Sequence, residues 1–167
     1  MLTHNAQHNT TQHMTTQHNT MHRILLGVRY LHAKGIVHRD IKGANVLITE
    51  TGVAKLADFG CSKQMQGVNT ASVDESIQAI KGSIPWMAPE VIRQAGHGRK
   101  ADIWSVGATV IEMLGAAHPW PDLPNNLSAL FHVATSDEAP PLPPGREGVS
   151  PALRGFIYDC CMCIDPA

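Results

Sequence analysis

The sequence predicts a mainly α-helical domain that contains one short β-hairpin. Apolar residues recur at helical spacing near 22–34 and 101–114, whereas two short apolar runs, at 46–48 and 53–57, flank a turn. The chain has 167 residues, of which 43% are hydrophobic, and this is enough to bury the core of one domain. We therefore expect a single domain.

The first 20 residues are expected to form a disordered tail. Residues 6–20 read AQHNTTQHMTTQHNT, three near-copies of a pentapeptide whose period fits neither a helix nor a strand. Five of the ten histidines lie in the first 22 residues, so metal binding is an alternative to a solvated low-complexity tail. No spacing among these histidines matches a closed zinc site, which favours the tail.

Ordered structure is predicted to begin near Met21. Gly35 stands where a left-handed residue would end the first helix. TETG, at 49–52, is predicted to form the hairpin turn between the two short strands. The apolar residues at helical spacing are Ile24, Leu25, Val28 and Leu31.

The second half of the chain is predicted to be mostly helical. Residues 61–83 show little periodicity and indicate a long functional or disordered loop. The apolar stretch at 106–117 is short and contains Glu112, so it predicts a buried helix instead of a membrane span. Further helices are expected near 87–94, at 101–114, at 125–135 and from Ser150.

Two local segments leave alternatives. PPLPPG at 140–145 is either a polyproline ligand or a loop before the last helix, and we favour the loop. CCMC at 160–163 is interpreted as the buried side of that helix, with a metal site as the alternative.

Charge and cysteine usage exclude several classes of protein. Thirteen Lys and Arg balance fourteen Asp and Glu, so no field of one sign favours nucleic acid or an anionic membrane. Three of the four cysteines crowd into 160–163, which is not the framework of a secreted disulfide domain. A reducing compartment is expected, namely the cytoplasm, with the nucleus as an alternative.

Residues 38–45, HRDIKGAN, place a carboxylate, an ammonium and a carboxamide within eight positions. The tripeptide HRD is a weak signal alone, because an Arg-Asp pair is often only an ion pair. However, DFG follows the predicted hairpin at 58–60, and APE follows the long loop at 88–90. In order and spacing, these motifs resemble the catalytic loop, the metal-binding motif and the APE motif of protein kinases.

The resemblance implies phosphoryl transfer from ATP to a serine or threonine hydroxyl of a protein. Asp40 would orient that hydroxyl and accept its proton. Lys42 would neutralise charge on the phosphate, and its position two residues after Asp40 resembles that in serine/threonine kinases. Asn45 and Asp58 would hold Mg²⁺, a hard cation that prefers oxygen ligands. Leu47 would pack under the adenine ring.

The same resemblance assigns roles to supporting residues. Arg39 is typical of kinases whose activation segment is ordered by phosphorylation. Ser83 replaces the threonine of many serine/threonine kinases and can bond Asp40 and Lys42. Asp102 would bond backbone N–H groups of the catalytic loop and also serve as a helix-start acid. The phosphate acceptor candidates, none of which the sequence singles out, are Thr70, Ser72 and Ser76.

From about residue 22 to 166, the chain looks most like mitogen-activated protein kinase kinase kinases. The segments that carry this resemblance are GCSK, GSIPWMAPEVI and HPWPDLPNNLSALFHVATSDEAPPLP. This implies a protein-kinase-like large (C-terminal) lobe at 21–167, truncated at both ends. No glycine-rich phosphate loop precedes Gly27, and the family continues to an arginine that would pair with Glu90.

Two functions from different classes are therefore expected. The first is a serine/threonine kinase present as a fragment, weakly active or inactive alone because the nucleotide loses one wall of its pocket. Its partners would be a protein substrate, such as a downstream kinase, and a docking partner over the exposed lobe interface. The second is a non-catalytic binding module that competes for kinase substrates or regulators.

Overall fold

The computed structural model describes residues 3–65, 83–136, 138–145 and 149–162, with side chains from residue 18 onward. The predicted mainly helical class is confirmed. Single 3₁₀ turns lie at Gly43–Asn45, Phe59–Cys61 and Ile84–Trp86. The α-helices of the described residues are α1 (Thr3–Ala33), α2 (Pro89–Ile92), α3 (Arg99–Gly115), α4 (Asn126–Thr135) and α5 (Pro151–Met162).

The predicted hairpin is confirmed. Strand β2 (Val46–Ile48) pairs antiparallel with β3 (Ala54–Leu56), and Gly52 in the turn has φ +76°, which favours glycine. A second antiparallel pair joins β1 (Ile36–Val37) to β4 (Lys63–Gln64). Strands of two residues are too short to show alternation, so the sequence could not predict this pair.

Helix α1 is longer than the sequence predicts, because its backbone begins at Thr3 and not near Met21. Ile24 and Val28 are buried and anchor the helix, and no Gly or Pro interrupts residues 3–26. Once a helix is nucleated, propagation adds one hydrogen bond for each residue that is fixed. The structure thus gives a helical backbone for residues 3–20 that the sequence did not predict, whereas the disordered tail and the domain boundary near residue 21 stay predictions.

Helix α3 lies at the centre of the core, with Trp104 and Ile111 buried on it. Helix α5 packs closely against α3 at Gly107, where an added Cβ would lie 2.8 Å from both Cys160 Cβ and Cys161 Sγ. The burial of Cys160 and Cys161 confirms the predicted packed side for these two residues, whereas Met162 is exposed and Cys163 lies outside the described residues.

The remaining predicted helices are also present as α2 to α5, and the apolar stretch that begins at residue 106 is buried within α3. The proline-rich segment after α4 has no regular secondary structure, and its Pro143 packs on Gly115 at the end of α3. Packing of this kind favours the loop interpretation. Within the described residues, no helix combines the length and apolarity needed to cross a membrane.

Candidate active site

A buried carboxylate from the start of α3 holds the catalytic loop. Asp102 Oδ2 accepts the N–H of His38, and Oδ1 accepts the N–H of Arg39, each at 2.9 Å. His32, in the last turn of α1, donates from Nε2 to Asp102 Oδ2 at 2.7 Å. The predicted contact with the loop backbone is confirmed, whereas the sequence offered no signal for His32. Three donors satisfy a carboxylate that is fully buried.

Arg39 adopts a left-handed backbone conformation with φ +72°, which is uncommon and strained for a residue other than glycine. Such a conformation persists where neighbouring interactions fix it, and here the Arg39 N–H is fixed by Asp102. The chain direction into Asp40 is therefore set by a contact with α3.

Three side chains converge on Asp40. Lys42 Nζ donates to the two carboxylate oxygens at 3.1 and 2.9 Å. The hydroxyl of Ser83 donates to Oδ1, and Asn45 Nδ2 donates to Oδ2 at 2.8 Å. Lys42 Nζ also donates to Ser83 Oγ at 2.6 Å. The structure thus brings four of the predicted residues together.

These contacts decide the charge of Asp40. Burial alone would raise the pKa of this carboxyl, but hydrogen bonds from Ser83, Lys42 and Asn45, together with the Lys42 charge, outweigh burial and lower the pKa below its ordinary value. Asp40 is therefore an anion at neutral pH. It can accept a hydrogen bond from a hydroxyl group and orient it.

His38 connects the catalytic loop to the segment that carries Asp58. The backbone N–H of Asp40 donates to His38 Nδ1 at 3.4 Å, and Nε2 lies 3.1 Å from the carbonyl oxygen of Ala57. These partners place the ring proton on Nε2. The ring centroid lies 5.0 Å from that of Phe59. Asp58, between Ala57 and Phe59, is thereby held beside the loop.

Asn45 and Asp58 offer oxygen atoms that fit Mg²⁺. The carbonyl oxygen of Asn45 accepts the N–H of Ala57 at 2.9 Å, which places Asn45 next to the residue before Asp58. Asn45 Nδ2 donates to both the Asp40 carbonyl and its carboxylate, which leaves Oδ1 for a metal. Asp58 is exposed, has φ +59°, and accepts the N–H of Gly60. Mg²⁺ binds through such hard oxygen ligands together with phosphates and water.

Large apolar side chains remain exposed near these groups. Leu47, predicted to pack under adenine, is 59% exposed on β2, and its neighbour Ile48 is 55% exposed. Phe59, which contacts His38, is 47% exposed. We call Leu47, Ile48 and Phe59 the exposed apolar residues of the site. Leu47 and Ile48 are consecutive residues of one strand, so their side chains point to opposite faces of the hairpin.

Other predicted residues lie away from this cluster or outside the described residues. Glu90 is buried in the first turn of α2. The candidate phosphate acceptors, Thr70, Ser72 and Ser76, lie outside the described residues.

Sequence reasoning missed two further residues. Glu112 Oε2 accepts the N–H of Gly43 and the indole N–H of Trp86, each at 2.8 Å. Its signal was the single acid in the apolar stretch at 106–117. His97 lies near Arg39 and Asp102, where burial and then the Arg39 charge lower its pKa to about 4 against the opposing effect of Asp102. Nothing in its polar sequence context indicated this.

Comparison with known proteins agrees with the geometry. The protein kinase domain matches residues 1–167. Mitogen-activated protein kinase kinase kinase 2 of Arabidopsis thaliana is 46% identical over 138 residues, which cover 83% of this chain and 20% of that protein. Mitogen-activated protein kinase kinase kinase A of Dictyostelium discoideum is 46% identical over 121 residues, 72% of this chain and 12% of that protein. Cytokinesis protein sepH of Aspergillus niger is 44% identical over 140 residues, 84% of this chain and 10% of that protein.

This chain belongs to the protein kinase family. The expected resemblance to mitogen-activated protein kinase kinase kinases is confirmed by the relatives from Arabidopsis and Dictyostelium. The chain spans a fifth or less of the length of these three relatives.

Proposed function

We propose that this chain is the large, C-terminal lobe of a serine/threonine protein kinase of the kinase-cascade type. The enzyme transfers the γ-phosphate of ATP to a protein hydroxyl. The observation that carries the proposal is the convergence of Lys42, Asn45 and Ser83 on an ionised Asp40. The contact of His38 with Ala57 holds the residue before Asp58 against the same loop.

The contacts of Ser83 support the assignment of roles. Its hydroxyl lies within hydrogen-bond distance of both Asp40 and Lys42, the two groups that a substrate hydroxyl would meet. Asp40 then orients the attacking oxygen and accepts its proton, while Lys42 neutralises charge on the transferred phosphate. Mg²⁺, when bound to Asn45 and Asp58, supplies further charge neutralisation on the phosphates.

The nucleotide and a second lobe account for the exposed apolar residues of the site. Leu47 packs under the adenine ring, and Ile48 and Phe59 lie where another part of a kinase would cover them. Residues 1–167 alone therefore bind ATP weakly and transfer phosphate slowly, since several charge-assisted contacts to the triphosphate are made elsewhere.

The names of the relatives suggest the substrate. Two of them are named as kinases that act on a mitogen-activated protein kinase kinase. We assign a protein substrate of the same type, a downstream kinase, to this chain, and we place the reaction in the cytoplasm and the nucleus.

A transfer assay tests the proposal. The transcript is first sequenced on both sides of residues 1–167, and the complete frame is expressed with Mg²⁺ and labelled ATP. We expect label on Ser or Thr, and Asp40→Asn should lower the rate by on the order of a hundredfold or more. Asp122→Asn, at an exposed position outside the site, should leave the rate unchanged. Equal rates for wild type and Asp40→Asn would contradict the proposal.

The exposed apolar residues of the site also support a second candidate, a non-catalytic binding module. For this candidate, we expect the complete reading frame to lack a glycine-rich loop. Its product would bind a purified downstream kinase in the absence of ATP. Asp40→Asn would leave that binding intact, whereas Leu47→Ser would weaken it. If the protein encoded by the complete reading frame transfers labelled phosphate to its substrate, this candidate is excluded as the main function.

A further inference from the structure

We propose that His18 and His22 form a two-histidine site for Zn²⁺ on helix α1. The two residues stand four positions apart, and α1 runs through both of them. The ring nitrogens of neutral histidine bind Zn²⁺, and zinc enzymes present two of them at this same spacing on a helix. This site lies outside the candidate active site and does not depend on phosphoryl transfer.

The helical backbone changes what the histidine repeat can bind. Each residue of a helix advances by about 100°, so residues four apart differ by about 40° and residues five apart by about 140°. The pentapeptide repeat spaces His8, His13 and His18 by five, which places consecutive histidine positions on different faces. His22 departs from that period and shares a face with His18, and residues at this spacing have Cβ atoms about 5–6 Å apart. The chelating pair therefore requires the helical conformation.

The surroundings of the pair leave both imidazoles accessible to a cation. His18 and His22 are exposed, and no residue that the structure describes forms a hydrogen bond or an ion pair with either side chain. Residues 3–22 contain no Asp, Glu, Cys, Lys or Arg, so no other strong ligand competes for the ion within this stretch. Arg23 follows His22 but lies about 100° around the helix from it. The two imidazoles are thus the strongest zinc ligands on this part of α1.

The site is open and not closed. Within the described part of the chain, no group of three or more His, Cys, Asp or Glu side chains is placed to hold a metal ion. Zn²⁺ has four ligands in most protein sites, so the remaining positions belong to water or to a donor from another molecule. The absence of a closed zinc spacing in the sequence agrees with this, and a site with two protein ligands should bind more weakly than a closed one.

The packed part of α1 holds the pair in register. Ile24 and Val28 are each 2% exposed and anchor the helix on the core, and His22 stands only two residues before Ile24. A helix anchored at one end extends by propagation and needs no new nucleus. Since the ion binds the helical arrangement and not the unfolded one, it stabilises the turn that precedes the core.

A second pair with the same spacing has to be removed before the site is tested. His4 and His8 stand four positions apart near the start of α1. On an ideal helix, these two positions and those of His18 and His22 fall within a sector of about 80°. The reference chain for the experiment is therefore the untagged 167-residue protein that carries His4→Ala and His8→Ala.

Nuclear magnetic resonance of this reference chain with Zn²⁺ and no nucleotide tests the site. We expect the ring signals of His18 and His22 to shift together, with a single affinity. His22→Ala should weaken the response of His18 by about a hundredfold, because no second imidazole then binds intramolecularly. His13→Ala, nine residues from His22 and so on the opposite face, is the matched control and should leave both responses unchanged. Mg²⁺, which prefers oxygen ligands, should shift neither ring.

Hydrogen exchange gives a second measurement that does not observe the rings. At about ten times the dissociation constant of Zn²⁺, the amides of residues 19–23 should exchange roughly tenfold more slowly, because the bound ion stabilises the helical state. His18→Ala should abolish this effect at the same concentration. A His18 ring response of equal affinity in the reference chain and in His22→Ala would overturn the proposal, since it would show binding to single histidines.

Discussion

At the scale of single residues, two carboxylates have different tasks because their surroundings differ. Asp102 is fully buried and its oxygens accept from His32 and from the backbone of the catalytic loop. Asp40 is only partly buried, and its donors are the side chains expected at the reacting centre. The first carboxylate shapes the loop, and the second is only partly buried, as the proposed transfer to a substrate hydroxyl requires.

His97 should make stability depend on pH. Its pKa lies near 4 in the folded chain against 6.5 for an unperturbed histidine, because burial and Arg39 disfavour the charged form. Between these values the unfolded chain binds more protons than the folded chain, so the contribution of neutral His97 is complete above pH 6.5 and falls as the pH drops toward 4. Denaturant unfolding of His97→Gln should show a smaller loss of unfolding free energy over that range than wild type.

His22→Gln serves as the control for this experiment, because His22 is exposed on α1. It should retain the pH dependence of wild type. The same pH profile for His97→Gln and His22→Gln would contradict the lowered pKa of His97.

At the scale of elements, α3 supports both the site and the core. One side of it supplies Asp102 and Glu112 to the catalytic loop, and another side packs on α5 at Gly107. The same helix therefore links stability to the geometry of the site.

Gly107→Ala should destabilise the protein by forcing α5 away from α3. The added Cβ would meet Cys160 and Cys161 at 2.8 Å, and overpacking of this kind costs about 1–3 kcal/mol. Thermal unfolding should occur at a lower temperature than in wild type.

Gly155→Ala is the matched control, because it lies inside α5 with no heavy atom within 4 Å of an added Cβ. Here the higher helix propensity of alanine should stabilise the protein by up to about 1 kcal/mol. If both variants shift the midpoint in the same direction, the packing of α5 on α3 is not as described.

The elements that the sequence predicted are those with a strong local pattern. The helical spacing of apolar residues predicted α3 and α4, and the turn residues at 49–52 predicted the β2–β3 hairpin. The backbone helix over residues 3–20 was missed because helix propagation from a packed neighbour leaves no periodic pattern. The β1–β4 pair was missed because it joins two very short segments that are distant in sequence.

At the scale of the whole molecule, the motifs predicted which residues meet and that Asp102 holds the loop backbone, but they did not predict the contacts of His32 and Glu112. Asp40, Lys42, Asn45 and Ser83 come together as expected. The contact of His32 with Asp102 joins positions 70 residues apart in the sequence, and that of Glu112 with Gly43 joins positions 69 residues apart. Neither His32 nor Glu112 belongs to a motif that the sequence singled out, so finding these two contacts required the fold.

The most direct test of the proposed site is to locate the residues at which a divalent cation and ATP bind on this chain. Mn²⁺ replaces Mg²⁺ in such sites and broadens the resonances of nearby nuclei. With Mn²⁺ and ATP, the signals of Asn45 and Asp58 should broaden first, and Asp58→Asn should abolish this effect while Glu138→Gln, at an exposed position, preserves it. Broadening that leaves Asn45 and Asp58 sharp and appears instead at His18 and His22 would contradict the phosphoryl-transfer site.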